Sequence, residues 1–212
     1  MTDLRILAMD PGTSNFAVSI MRLRWANNRF QFKCEGTTML DPQRLLKDMK
    51  TMRSSLNTFR DYVQPLFEVE NLDAFVAERF QARGGKGPTI ESVNCMLGCM
   101  AQQSNHIKNA DFITAGVWKN EFNRYADLKE MYLDLADLRK EKLTKIAIHQ
   151  LDSMLLGIYV GCKLLGVRPF SFIDTREKEA KLLKALSSAP PINFLPAHLP
   201  KQKKTKKRRR KS

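Results

Sequence analysis

The sequence predicts an α/β fold, a mixed five-stranded sheet flanked by helices, on three observations. The first three apolar segments have strand character and are separated by short turn signals. Beyond them, strand-like and helix-like segments alternate along the chain. The 212 residues are 43% hydrophobic and 27% charged, the balance of a chain with a normal core. A strand meander followed by alternating strands and helices gives antiparallel pairing first and crossover pairing after it.

Each element follows from its local pattern. Leu4 to Met9 is a short apolar run that stops at Asp10-Pro11-Gly12, as a buried strand does on entering a turn. Phe16 to Trp25 and Arg29 to Leu40 are rich in Phe, Val, Ile and Thr, with Asn27-Asn28 as a hairpin signal between them. From Pro42 to Phe67 the period changes. Leu45, Met49, Met52, Leu56, Phe59, Val63 and Leu66 recur every three or four residues, marking an amphipathic helix whose start suits Pro42. Leu72 to Ala77 is the fourth strand, with Glu78 at its end, and Gln81 to Pro88 is a Gly-rich basic loop. Ile90 to Ile107 reads as helix and Asp111 to Ala115 as the fifth strand. Val117 to Tyr125, Asp127 to Arg139 and Leu143 to Leu165 read as helices. Residues 1–170 therefore form the expected domain. Residues 171–200 supply a C-terminal helix and a Pro-rich linker, and 201–212 a basic tail expected to be disordered when free.

Composition excludes several classes. No apolar run approaches the ~20 residues that span a bilayer, and MTDLRILAMD lacks a signal-peptide pattern, so no membrane role is expected. Cys34, Cys95, Cys99 and Cys162 are too few and too scattered for a disulfide scaffold and read as reduced cytosolic thiols. Cys95 and Cys99 have no second pair at zinc spacing and are expected in the core. Thirty-six Lys and Arg against 22 Asp and Glu give +14. The tail holds nine of those cations, leaving +5 on the rest. Such an excess points to a polyanionic partner, most often nucleic acid, with an import or solubility role for the tail as the alternative.

Three acids stand where chemistry can use them. Asp10 ends the first strand, Glu78 ends the fourth, and Asp152 lies in the last strong helix, one face with His149 at helical spacing. Ile146, Ile148, Leu151, Met154, Leu155 and Ile158 make that helix otherwise apolar, which sets the ionisable pair against the sheet or beside a cleft. Singly, each acid reads as an ordinary salt bridge or cap. Adjacent strand ends open at the same edge of a sheet, which joins Asp10 and Glu78, and the helix can bring Asp152 to that edge. Two unit charges ~4 Å apart cost about 4 kcal/mol at an effective dielectric of ~20, so three carboxylates need a cation. Oxygen ligands select Mg²⁺, with Mn²⁺ as a substitute, and two such ions ~3.5–4 Å apart are the arrangement of two-metal nucleases.

LAMDPGTSN, then VAERF, then the helix with HQLDSMLLG resembles the RuvC-type Holliday junction resolvases of the RNase H-like superfamily, in a form similar to phage and viral members. The resemblance spans roughly Leu4 to Leu165. It implies an RNase H-like fold, a homodimer, four-way and branched DNA as substrate, and metal-dependent hydrolysis that leaves a 5′-phosphate. The catalytic and metal-binding set it implies is Asp10, Glu78, His149 and Asp152. Lys119 and Lys129 match lysines that contact scissile phosphates in that family. His149 stands where other members carry Asp, which makes this metal site less acidic. The expected location is the cytoplasm, of an infected host for a phage chain, or the nucleus for a eukaryotic virus or its host.

Gly84, Gly85 and Gly87 allow close backbone approach to a phosphate, Arg83 and Lys86 add charge, and Phe80 can wedge against a base. The alternatives are a plain surface loop and a core phenylalanine. Two other functions remain open at this stage. One is a basic nucleic-acid-binding protein that keeps the fold without cutting. The other follows from Asp10-Pro11-Gly12-Thr13-Ser14-Asn15, which also resembles the first phosphate loop of actin, heat-shock and sugar-kinase ATPases. Those proteins need a second lobe and a second Gly-rich loop, which this chain lacks.

Overall fold

The computed structural model describes residues 2–12, 15–26, 29–41, 52–79, 87–123 and 145–166. Strands β1 (Thr2–Pro11), β2 (Phe16–Ala26) and β3 (Arg29–Leu40) form the expected antiparallel meander. Gly12 is required in the first turn, because a Cβ there would collide with the Asn15 carbonyl oxygen. Strand β4 (Ala74–Arg79) pairs parallel with β1, and β5 (Asn109–Thr114) pairs parallel with β4. The strand order is β3-β2-β1-β4-β5, the mixed five-stranded sheet predicted from the sequence.

Helices cover both faces. Helices α1 (Met52–Phe67) and α2 (Gly87–Gln103) pack on one, where Leu7, Met9, Phe16, Val18, Phe59, Val63, Phe75 and Leu97 are buried together. Helices α3 (Ala115–Asn123) and α4 (Lys145–Leu164) serve the other, with Ile6, Ala8, Met21, Leu23, Val76, Trp118, Leu151 and Leu155. Successive residues of β1 and β4 thus point into different cores, which is why both strands read as continuous apolar runs.

Two features set α4 close to the sheet. Gly157 and Gly161 are one helical turn apart. A Cβ on Gly157 would lie 2.8 Å from Met21 Cγ and 3.2 Å from the Ala8 methyl, and one on Gly161 would overlap the end of Leu23. Beside them runs a buried chain of hydroxyls. Ser19 Oγ is 3.0 Å from Thr37 Oγ1 and 2.6 Å from Ser153 Oγ, and Ser153 donates to the Gln150 carbonyl at 2.8 Å. Thr37 Oγ1 donates to the Val18 carbonyl at 3.1 Å, so both outer hydroxyls donate to backbone and Ser19, between them, donates to one or the other; the cluster ties β3, β2 and α4 at one height.

Several boundaries shift. Strand β4 begins at Ala74 and includes Glu78, β5 begins at Asn109, and Ala115 opens α3 instead of closing β5. The Gly-rich loop ends earlier than expected, because Gly87 and Pro88 already form the first turn of α2, where a missing proline N–H costs nothing. Cys95 and Cys99 are exposed, not in the core. The buried face of α2 is Ile90, Val93, Leu97, Met100 and Ala101, and helical geometry turns both thiols away from it. The expected helix at 127–139, the 42–51 part of the first helix, residues 171–200 and the basic tail lie outside the described residues. Among the described residues no helix is long and apolar enough to cross a membrane.

Gly98 of α2 contrasts with the α4 glycines. A Cβ there meets only the Phe112 ring, at 3.5 Å, an ordinary contact. Gly98→Ala should therefore raise stability by up to about 1 kcal/mol, the helix-propensity difference, with chemical denaturation as the measurement.

Candidate active site

Register brings the first two acids together. Ala8 pairs with Val76 and Met9 with Ala77, so Asp10 and Glu78 come next on adjacent parallel strands. Both follow the parity of Ala8 and Val76, which face α4. The first half of α4 supplies His149 and Asp152 to the same end of the sheet. His149 Nδ1 lies 2.7 Å from Asp10 Oδ2. From α3, Lys119 Nζ donates to Asp152 Oδ2 at 3.0 Å, and Trp118 Nε1 donates to Glu78 Oε2 at 3.0 Å. The Lys119 ammonium also sits 4.8 Å from the Trp118 ring centroid. All four residues of the sequence-derived set, and Lys119, thus share one site.

The electrostatics show a crowded anionic cluster. Burial pushes the Glu78 carboxyl above its ordinary range, and the Asp10 charge adds to this. Lys119 and the Trp118 N–H act in the opposite direction, and Asp152 raises it further. His149 is raised from 6.5, first by its hydrogen bond to Asp10, against the opposing effect of burial, with the Asp10 and Asp152 charges assisting. Asp152 is buried, so its carboxylate needs the Lys119 partner. Among the described residues, no three His, Cys, Asp or Glu side chains converge as they lie closely enough to hold one ion. Asp10 is turned to His149 and Asp152 to Lys119, whose ammonium offsets part of the cluster's charge.

A pH dependence follows for the metal-free chain. His149 binds its proton more tightly when folded, so its contribution to stability is full below pH 6.5 and is lost as pH rises through the raised folded value. Glu78, also raised, has the same sign: its ordinary value is 4.5, and stability falls as pH increases above it. Denaturation in EDTA should show stability declining as pH rises above 4.5, and His149→Gln should flatten the part of that decline above pH 6.5. An unchanged slope in the variant would contradict the His149–Asp10 pairing.

Sequence reasoning missed Trp118. Its position directly before Lys119 was the available signal, but an isolated tryptophan after a strand reads as core. Phe80, Arg83, Lys86 and Lys129, expected to contact DNA, lie outside the described residues.

Comparison with known proteins gives a likeness in structure alone. No protein-family profile and no curated protein sequence matches the chain. RuvC of Thermus thermophilus superposes with a TM-score of 0.54 at 10% identity, over 78% of this chain and 99% of that one. T. thermophilus RuvC in complex with Holliday junction substrate gives 0.47 at 10% identity, over 78% and 99%. Fowlpox virus resolvase, in its complex with substrate Holliday junction DNA, gives 0.37 at 16% identity, over 76% and 99%. The first of these establishes the fold: the sheet and its helices have the RuvC-type, RNase H-like arrangement expected from the sequence.

Proposed function

We propose that the chain is a structure-specific endonuclease that resolves Holliday junctions and other branched DNA by metal-dependent phosphodiester hydrolysis. The observation that carries this reading is the meeting of Asp10 and Glu78, on adjacent strand ends, with His149 and Asp152 of α4 on a RuvC-type fold. Three carboxylates and an imidazole form a donor set suited to Mg²⁺ or Mn²⁺. Burial first, and the Asp10 charge second, disfavour ionisation of the Glu78 carboxyl, a cost that a bound dication would offset. Asp10, Glu78, His149 and Asp152 would hold the ions, after rotation of the two aspartates away from His149 and Lys119.

Divalent ions in such a site polarise the phosphate and lower the pKa of water. The chain's own residues do the rest. Before an ion binds, Asp10 holds the His149 ring through Nδ1, and Lys119, once released from Asp152, would supply an ammonium for a non-bridging phosphate oxygen. Phe80, Arg83, Lys86 and Lys129 are proposed DNA contacts, and the basic tail a tethered electrostatic one. A homodimer would present two such sites to the two strands of a junction.

The test is cleavage of a four-way junction with Mg²⁺, beside competition binding in Ca²⁺ between that junction and a linear duplex of equal length. The expected preference for the junction is at least about tenfold, ~1.4 kcal/mol. Equal affinity would count against branch recognition, and absence of cleavage in Mg²⁺ and Mn²⁺ would count against the nuclease.

A further inference from the structure

We infer that Trp118 is a positioning residue of the site, fixing Glu78 through its indole N–H and Lys119 through its ring face. The inference rests on the metal-dependent reading above and extends it to a residue that the reading does not need. Trp118 is fully buried, in a cluster with Ile113, Leu151 and Leu155. A side chain there for packing alone needs no polar atom. The indole N–H is donor-only, and burial obliges it to find an acceptor. Its acceptor is Oε2 of Glu78, at 3.0 Å. A carboxylate has two oxygens, so this bond fixes the group while leaving Oε1 for another partner. It also favours the charged form that a cation requires, against the burial that raises the Glu78 carboxyl.

The ring face does a second job. Lys119 Nζ stands 4.8 Å from the ring centroid, inside the ~6 Å range of a cation–π contact. The same ammonium reaches Asp152 on α4. One rigid indole, locked by the core, therefore sets a carboxylate on β4 and an ammonium on α3 relative to each other. Outer partners of this kind typically change metal affinity by about 10–100-fold when removed.

The test uses the full chain without DNA. In ¹H–¹⁵N spectra the two tryptophans, Trp25 and Trp118, give two indole resonances, and Trp25→Phe identifies which is which. Titration with Mg²⁺ should move the Trp118 indole resonance, since the ion redistributes charge on its acceptor. Trp118→Phe keeps a ring face and most of the volume but removes the N–H. It should weaken Mn²⁺ binding, read by electron paramagnetic resonance, by about 10–100-fold. A purely structural tryptophan would change thermal stability and leave Mn²⁺ affinity within about twofold, and that result would overturn the inference. So would a Trp118 resonance unmoved by saturating Mg²⁺, a measurement that survives even if Trp118→Phe does not fold. Asp10→Asn separates the two levels. If it loses Mn²⁺ binding and Trp118→Phe does not, the metal reading stands and the Trp118 inference fails. If wild type binds Mn²⁺ no better than Asp10→Asn, both fail.

Discussion

Asp10→Asn should reduce junction cleavage at least about a thousandfold, the equivalent of ~4 kcal/mol of transition-state stabilisation, while binding of the junction in Ca²⁺ stays close to wild type. The substitution is isosteric. Asn retains an oxygen opposite His149 Nδ1, but it weakens the hydrogen bond to a charged acceptor and removes the charge, the two contributions of Asp10 that raise the ring's pKa. It therefore takes a negative charge out of the ion site and, independently, weakens the His149 part of the stability loss with rising pH in EDTA. Both consequences are measurable on one protein sample. Cleavage within tenfold of wild type would refute the catalytic assignment, whatever the pH profile showed.

Gly157→Leu should have the second largest effect, and it acts without touching an ionisable group. A Cβ at Gly157 already lies 2.8 Å from Met21 Cγ and 3.2 Å from the Ala8 methyl, which belongs to β1 and cannot move aside. Overpacking typically costs about 1–3 kcal/mol and occasionally more, and the gain from replacing a helical glycine offsets roughly 1 kcal/mol. A net loss of about 2 kcal/mol lowers Tm by roughly 4–8 °C in a chain of this size. The activity loss should exceed the stability loss. Helix α4 carries His149 and Asp152, and a displacement of about 1 Å at reacting groups can cost a factor of ~10². Cleavage at 25 °C, where the variant remains folded, should drop by about that factor, with circular dichroism confirming the fold. Undiminished cleavage by a folded variant would show that the glycine contact does not set the position of the helix.

Much of the fold was legible because each element carries a single, uninterrupted signal. Ile6 to Met9 is apolar at four successive positions and is buried on both faces, and the three-to-four spacing from Phe59 to Leu66 marks one helix face. The acids were legible for a related reason. Asp10 and Glu78 interrupt apolar strands where those strands end, and His149 and Asp152 interrupt an apolar helix at one-face spacing. What the sequence did not disclose is which side chain meets which. The Asp10–His149 contact spans 139 positions and the Trp118–Glu78 bond 40. Both depend on strand order, which periodicity does not encode. Ser19, Thr37 and Ser153 read as unremarkable small polar residues until α4 lies over β2 and buries all three. Cys95 and Cys99 went the other way, since a residue type that prefers the interior says less than the helical phase of its neighbours.

The division of the site between β1 and α4 has a consequence for the order of assembly. The meander closes short loops and can form early, whereas parallel pairing of β4 and docking of α4 close long ones. A chain folded only through Asn123 would contain Asp10, Glu78, Trp118 and Lys119, but neither His149 nor Asp152, nor the α4 side chains that bury Trp118. On the endonuclease reading, such an intermediate contacts a phosphate through Lys119 and lacks the groups that complete the ion site. On that same reading, cutting competence arrives only with α4, which brings His149 and Asp152.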